Sequence, residues 1–178
     1  AGPEGGSWGM GRADEPWRGK LRKKMAAAYA NAPHRDETLA RLERVIDEPA
    51  ESIGDLARRS LQEIASLLRL DTEFVPTARV YANDHLKAQE RILDICRQTA
   101  ARVYVNPAGG RDLYHDSDFA ASGIELRFLE PELSEYDQRV PSFQPGLSIL
   151  DALMWNGAEG TRALLSGYRL LPAVQAST

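Results

Sequence analysis

The second half of the sequence alternates short β-type runs with helical patterns, and this order constrains the fold more than any other feature. The β-type runs are FVPTA (74–78), RVYVN (102–106) and IELRFL (124–129), with helical patterns between them at about 85–98 and 116–122. A β, α, β, α, β order favours parallel strands joined by right-handed crossovers. The sequence therefore predicts an α/β fold with a short parallel sheet of about three strands.

Helical patterns also stand before and after this alternation. Apolar residues recur at helical spacing within 17–28, 39–46 and 53–68, which predicts a three-helix segment ahead of the sheet. Two more helices are predicted at about 148–156 and 158–166, with Gly157 as the stop between them.

The domain organisation follows from length and from the composition of the two ends. A chain of 178 residues is about the size of one ordinary domain. We expect residues 16–170 to form a single α/β domain. The glycine-rich segment 1–15 shows no periodicity and is expected to be a disordered linker or an expression remnant, and residues 171–178 are expected to be a fraying tail.

The charge of the chain gives it no general attraction to nucleic acid. The formal net charge is -4 and the pI is about 5.5, so phosphate backbones and anionic lipids are not attracted by the chain as a whole. One basic run near the N-terminus departs from this balance, and it is more often a solvated helix face than a phosphate or membrane contact. Its members are Arg18, Lys20, Arg22, Lys23 and Lys24.

Cysteine and histidine usage predicts neither a disulfide framework nor a metal or other cofactor. Cys96 is the single cysteine, and it lies in an amphipathic helical pattern typical of a buried structural thiol. The three histidines are too scattered to spell a zinc site. No apolar run approaches the roughly 18 residues of a spanning helix. We therefore expect a cytoplasmic protein without a membrane span.

Candidate ligand-binding residues stand where the predicted strands end, because open parallel sheets bind ligands beyond the carboxyl ends of their strands. Gly109 and Gly110 follow the second strand and could supply positive φ and bare N–H groups to an anionic group or oxyanion. Asn106 precedes a proline in the same loop. On spacing alone a plain turn is the preferred interpretation of all three residues, because the segment matches no phosphate-loop signature.

Charged and hydroxyl residues on the predicted helices also have two interpretations. Lys87, Glu90 and Arg91 fit a solvated ion-pair ladder, or a helix start that binds an anionic substrate. Ser148 and Asp151 fit a helix cap better than a nucleophile with its acid, since no histidine stands nearby in sequence. Asn156 before Gly157 fits a helix stop.

Several longer segments, taken together, resemble one family. The segments LKAQERILDIC, YVNPAGGRDLY, FAASGIELRFLEP, EYDQ and FQPGLSILDALMWNGAEG occur in an order and spacing similar to those of the WbqC-like protein family. The resemblance covers roughly residues 16–165. Members of that family usually carry an N-terminal half that begins with a His-Gln-Pro segment. The resemblance therefore implies that this chain corresponds to the C-terminal half of such a protein.

The resemblance also implies an activity. The family is associated with bacterial O-antigen and related surface-polysaccharide biosynthesis, and transfer of glycine or a similar amino acid onto an amino sugar has been proposed for it. Residues of this chain that match the recurring motifs are Lys87, Glu90, Arg91, Asn106, Gly109, Gly110, Tyr114, Tyr136, Gln138, Ser148, Asp151 and Asn156.

Two classes of function follow. As an acyltransferase acting on small molecules, the chain would use Glu90 or Asp151 as base, Asn106 and the glycine N–H groups near the oxyanion, and Lys87 with Arg91 for phosphate or carboxylate. As a non-catalytic binding or assembly module, it would need a partner chain or a second copy to supply the missing strands. A nucleotide-binding regulator is a weaker third possibility, because the sequence has no phosphate-loop signature.

Overall fold

The computed structural model describes residues 16–173, so the expected linker at 1–15 and the end of the expected tail, 174–178, lie outside the described residues. The described residues group into two compact units. Unit 1 comprises residues 16–74 and 135–165, and unit 2 comprises residues 75–134 and 166–173. That the two units form one domain stays a prediction.

The elements follow one another in the order α1 (Pro16–Ala28), α2 (Arg35–Asp47), α3 (Ile53–Leu67), a 3-10 helix (Ala78–Tyr81), α4 (Ala88–Gln98), β1 (Val103–Pro107), a second 3-10 helix (Ala108–Leu113), α5 (Asp116–Ala121), β2 (Glu125–Pro131), α6 (Ile149–Leu164) and β3 (Tyr168–Pro172). The predicted α/β class and the three helices at the start are confirmed. No helix within residues 16–173 is long and apolar enough to cross a lipid bilayer.

Unit 2 contains the sheet, whose strand order is β1-β2-β3. β1 pairs in parallel with β2, with Val103 opposite Glu125 and Pro107 opposite Leu129. β3 pairs with the other side of β2 in the antiparallel direction. The sheet therefore has three strands, as predicted, but only one of its two strand pairs is parallel.

Two local predictions about the sheet are wrong. The segment FVPTA (74–78) is not a strand and leads into the first 3-10 helix; Pro76 has no N–H to donate to a neighbouring strand. The third strand is β3 instead, so Leu171 and Pro172 are paired residues and not part of a tail. β3 lies far from β2 in sequence, and nothing in its own five residues indicates that pairing.

The core of unit 2 forms between α4, α5 and β2. Its buried side chains are Leu93, Cys96, Phe119, Ile124, Leu126 and Phe128. Cys96 is buried as predicted, and burial raises the pKa of its thiol. Tyr104 and Tyr114 pack against this cluster and connect it to the end of β1.

Unit 1 is helical, and its buried apolar residues include Val45 and Ile46 on α2, Ala65 on α3, and Leu153 and Met154 on α6. α6 is kinked at Gly157, which has φ +64° and separates helical residues 149–156 from 158–164. The prediction of two helices divided at this glycine is confirmed. The His34 ring lies against the kink, so a Cβ at Gly157 would stand only 2.7 Å from His34 Cε1.

The basic run lies on α1. Lys20, Lys23 and Lys24 are exposed, and the Arg22 guanidinium pairs with Asp47 at the end of α2. These positions agree with a solvated helix face, which was the preferred interpretation of the run.

Candidate functional site

The carboxyl end of β1 in unit 2 places the double glycine in a helical turn. Gly109 and Gly110 lie in the second 3-10 helix, directly after Pro107, and neither has positive φ. The expected positive φ is therefore wrong, because a 3-10 turn uses dihedrals that any residue adopts. A Cβ at Gly110 would force the end of the Asn106 side chain to move. A Cβ at Gly109 would meet open space.

Two phenols stand beside Asn106. The Tyr104 and Tyr114 hydroxyl oxygens are 3.0 Å apart, and the Tyr104 hydroxyl lies 3.4 Å from Asn106 Oδ1. Burial raises the pKa of Tyr104, and its hydrogen bond with Tyr114 raises it further. The Tyr104 phenol thus stays protonated at neutral pH and serves as a hydrogen-bonding group.

The first turn of α4 lies next to the turn that follows the double glycine. Gln89 accepts a hydrogen bond from the His115 N–H at 2.6 Å and donates one to Asp118 at 2.6 Å. Lys87, at the N-cap of α4, and Glu90 are exposed, and neither makes an ion pair with another described residue. Sequence reasoning missed Gln89, whose role depends on a contact 26 residues away.

The Arg91 guanidinium is not available to an anionic substrate, because it already hydrogen bonds to the loop that precedes α4. Its Nε donates to Asn83 Oδ1 at 3.0 Å and its terminal nitrogen donates to Asp84 at 2.7 Å. Asn83 is buried and donates in turn to Asp94 at 2.7 Å. That hydrogen bond, followed by one from Gln98, lowers the pKa of Asp94. The network fixes the loop that leads into α4.

Asp151 forms a second polar centre, in unit 1. It lies in the first turn of α6 and is only 3% exposed. Its Oδ1 accepts a hydrogen bond from the Tyr29 hydroxyl at 2.9 Å. Its Oδ2 accepts from the Tyr136 hydroxyl at 2.6 Å and from Gln138 Nε2 at 2.9 Å. We call Tyr29, Tyr136, Gln138 and Asp151 the Asp151 cluster.

Both phenols of the Asp151 cluster are held in their neutral form. Burial, followed by the hydrogen bond to Asp151, raises the pKa of Tyr29 to about 12 and that of Tyr136 to about 12. Each hydroxyl donates a hydrogen bond to the carboxylate, so each phenol oxygen can also accept one. At Tyr136 the Gln138 amide is already such a donor, and it lowers the pKa of that phenol. The cluster therefore presents acceptor oxygens backed by a buried negative charge.

A surface cavity of about 380 Å³ adjoins the Asp151 cluster through two shared residues. Its lining residues are Glu135, Tyr136, Asp137, Gln138, Val140 and Phe143. Gln138 shapes this loop by donating to the Gln144 carbonyl at 3.1 Å and accepting from the Gln144 N–H at 2.7 Å. The Tyr136 and Phe143 rings meet edge to face at 5.3 Å. The cavity thus combines carboxylates with aromatic walls.

The remaining predicted residues of unit 1 hydrogen bond to the backbone of α6. Ser148 Oγ accepts from the Leu150 N–H at 3.3 Å, as expected for an N-cap. Asn156 donates to the Ala152 carbonyl at 3.0 Å, immediately before the kink at Gly157. Among the described residues, no histidine hydrogen bonds to Asp151, and no group of three or more His, Cys, Asp or Glu side chains is placed to hold a metal ion.

The structure thus divides the predicted site residues between the two units. Unit 2 contains Lys87, Glu90, Arg91, Asn106, Gly109, Gly110 and Tyr114, and unit 1 contains Gln138, Ser148, Asp151 and Asn156. Within unit 1, Gln138 and Asp151 are brought into direct contact. Tyr29 was missed, because it lies 122 residues from Asp151 in sequence.

Comparisons with known proteins agree with the quoted segments. A model of the WbqC-like protein family matches residues 11–163. An uncharacterized protein of Mycobacterium tuberculosis, Rv1507c, is 29% identical over 115 residues, which are 64% of this chain and 49% of the relative. The chain therefore spans about half the length of the curated relative it matches. No solved structure matches the chain.

Proposed function

Because the chain belongs to the WbqC-like protein family, we propose that it takes part in transferring a glycine-type amino-acid acyl group to an amine. The acceptor is an amino sugar or similar amine in bacterial surface-polysaccharide (O-antigen) or related biosynthesis. The amine nitrogen attacks the acyl carbonyl and loses a proton, and the donor's leaving group departs with the bonding electron pair. Such a reaction needs a bound, oriented amine, a proton acceptor and a stabilised oxyanion.

The observation that carries this proposal is the buried carboxylate of Asp151 with its two phenol partners. An amine or ammonium donates N–H bonds, and the Tyr29 and Tyr136 oxygens are polarised as acceptors by the carboxylate behind them. The adjoining cavity adds the exposed Glu135 and the Tyr136 and Phe143 rings, which favour a cation. Asp137 contributes less negative charge there because it pairs with Arg139 at 3.1 Å.

Asp151 acts in this proposal mainly by orienting the phenols. Both of its oxygens already accept hydrogen bonds, so a proton placed on it would displace one of three donors. Its negative charge favours binding of the acceptor as an ammonium ion, which must pass one proton to a base before its nitrogen has the lone pair that attacks the carbonyl. Glu90, exposed at the start of α4, remains the other proposed proton acceptor.

The residues of unit 2 are proposed, from the motifs they share with the family and separately from the Asp151 cluster, to bind a substrate. Lys87 is exposed at the start of α4 and is available for a phosphate or carboxylate. Asn106 and the N–H groups of Gly109 and Gly110 are proposed to face the carbonyl oxygen that becomes negative. Arg91 is better described as a positioning residue, since Asn83 and Asp84 occupy its guanidinium.

The reaction is tested by incubating the chain, and separately the mycobacterial relative, with activated glycyl donors and UDP-linked amino sugars. Mass spectrometry should detect the glycyl amide. We expect Tyr136→Phe and Asp151→Asn to lower product formation at least about tenfold. Glu159→Gln, on the exposed side of α6, is the matched control and should leave it unchanged. Absence of product from both proteins with every donor would contradict acyl transfer.

A second candidate function, a non-catalytic assembly module, is favoured by one observation. Within the described residues β1 pairs only with β2, and Val103 and Val105 on this edge strand are 44% and 42% exposed. An unpaired edge accepts a strand from another chain. Size-exclusion chromatography separates the two candidates: an obligate dimer that Val105→Lys dissociates supports assembly, and a monomer that unfolds cooperatively opposes it.

A further inference from the structure

A groove in unit 1 shares no lining residue with the Asp151 cluster, although Ser148, Ile149 and Leu150, which directly precede Asp151, line it. It has a volume of about 420 Å³ and is bounded by α2, α3 and the first turns of α6. Its apolar lining residues are Leu42, Val45, Leu61, Ile64, Leu150 and Leu153. The volume falls within the range of small-molecule sites in proteins.

The groove runs from a buried floor to an exposed mouth. Leu153 is 2% exposed and Val45 is 9% exposed, whereas Leu61 on α3 is 61% exposed. A molecule lying along these side chains would cover apolar surface that water otherwise contacts. Since a dry apolar cavity of about 150 Å³ holds one benzene, this groove has room for roughly two to three fragments of that size.

The charges at the rim select against a charged occupant. Glu63 accepts from Arg41 at 3.0 Å and pairs with Arg44 at 3.0 Å, and Arg41 also pairs with Glu37 at 3.3 Å. Two cations therefore balance two anions. The Ser60 hydroxyl is also used internally, by the Ala57 carbonyl at 2.7 Å. A charged ligand would lose its hydration here without gaining a counter-charge.

We propose that this groove is a binding site for an uncharged, apolar small molecule with an alkyl chain or fused rings on the order of ten to fifteen carbon atoms. The proposal does not depend on acyl transfer, because it concerns other residues and is measured without an acyl donor.

The probe for this site is N-phenyl-1-naphthylamine, an uncharged apolar dye whose fluorescence rises on leaving water. We expect saturable binding with one dye per chain. Decanol should displace the dye, and decanoate and decylammonium, which have the same chain length, should each need at least about tenfold higher concentration because their charges must be desolvated. Equal displacement by all three compounds would overturn the selectivity for an uncharged ligand.

Two variants on α3 locate the dye. Leu61→Gln places a polar group at the mouth and should weaken dye binding roughly tenfold, because the dye would no longer cover the apolar surface of this leucine. Ile53→Gln is the matched control, because Ile53 is on the same helix, is also 61% exposed and does not line the groove. Urea unfolding confirms that both variants fold.

Three results would overturn the proposal. The first is no saturable dye binding by the wild-type chain. The second is equal weakening by Leu61→Gln and Ile53→Gln. The third is a chain that excludes the dye and elutes as a dimer that Leu61→Gln dissociates, which would show that a second copy covers the groove.

Discussion

Asp151 is the residue on which the candidate chemistry of unit 1 depends most. A carboxylate that is 3% exposed is tolerated because three donors at 2.6 to 2.9 Å compensate for its lost hydration. Two of these donors are phenols, which remain neutral over the whole physiological range. The same contacts that stabilise the charge also fix the direction of the two phenol oxygens.

Removing one phenol hydroxyl tests this compensation directly. We expect Tyr29→Phe and Tyr136→Phe each to lower the free energy of unfolding by about 1–2 kcal/mol, the value of a hydrogen bond to a charged partner at a partly buried site. Urea unfolding measures the loss. Tyr168→Phe on the exposed β3 is the control and should change it by less than about 0.5 kcal/mol. Equal effects of all three substitutions would contradict the assigned role of Asp151.

The raised phenol pKa values predict a loss of stability at high pH. The pKa values of Tyr29 and Tyr136 are about 12 in the folded chain and 10.0 when unperturbed. Above pH 10 the unfolded chain therefore loses protons that the folded chain still holds, so stability falls as the pH rises. The contribution is complete below pH 10 and is lost by about pH 12. Urea midpoints across this window measure it.

The double variant Tyr29→Phe/Tyr136→Phe provides the control for that titration. Because it has neither phenol, its unfolding free energy should fall less steeply between pH 10 and 12 than that of the wild type. The absorbance of phenolate in the folded protein gives a second, independent reading. If the unfolding free energies of the two proteins fall in parallel between pH 10 and 12, groups other than Tyr29 and Tyr136 cause the loss of stability.

The sequence indicated part of the Asp151 cluster and missed the rest for a physical reason. Gln138 and Asp151 were selected from segments that resemble the family, and Tyr136 stands in one of the same segments. Tyr29 lies on the loop after α1 and meets Asp151 only through tertiary folding. At the double glycine, spacing alone did not distinguish a positive-φ turn from the 3-10 helix that forms.

At the scale of elements, α6 shows what local sequence specifies well. Gly157 is expected to stop a helix, and it adopts φ +64° with ψ −173°, a conformation that is almost restricted to glycine and costs residues with a Cβ about 1–3 kcal/mol. The close His34 ring adds a packing requirement that was not evident from sequence. Both the positive φ of Gly157 and the adjacent His34 ring therefore favour glycine at the kink.

Two glycine substitutions with opposite expected effects on stability test whether the kink requires glycine: one lies at the kink and the other lies inside a regular helix. Gly157→Ala should lower the free energy of unfolding by at least about 2 kcal/mol, because its Cβ would stand 2.7 Å from the His34 ring and its φ is positive. Gly19→Ala, inside α1 with open space around the new Cβ, should raise it by about 0.5–1 kcal/mol. Chemical unfolding of both variants measures these changes. An unchanged free energy of unfolding for Gly157→Ala would contradict the proposed requirement for glycine at the kink.

The strands were predicted less well than the helices, because strand pairing is not local. Val103–Pro107 and Glu125–Pro131 carry β-type patterns and the expected crossover between them, and both were found. FVPTA has similar composition but no partner strand among residues 16–173. YRLLP obtains its partner from β2, more than 30 residues earlier in the chain.

At the scale of the whole molecule, each unit has buried side chains of its own. Cys96 belongs to the core cluster of unit 2 together with Phe119, while Leu153 is buried in unit 1. The single thiol is therefore a reporter for the opening of unit 2, because it reacts only when that core is exposed.

Thiol labelling under native conditions makes this testable. We expect Phe119→Ala, which costs about 3–5 kcal/mol in a core, to accelerate the labelling of Cys96 more than Leu153→Ala does. The reason is that Phe119 shares a cluster with the thiol and Leu153 does not. Equal acceleration by the two variants would show that both units open in one cooperative step.

The side of β1 that has no partner strand among residues 16–173 also affects how the protein behaves when heated. When chains partly unfold, the β1 edges of two molecules can pair with each other through their backbones and their exposed valines. Strands paired between molecules in this way do not separate on cooling. Calorimetric melting would then be irreversible and its apparent midpoint would move with the scan rate. Cloudiness after a heating cycle, reduced when Val105 is replaced by lysine, would be the practical sign of that edge.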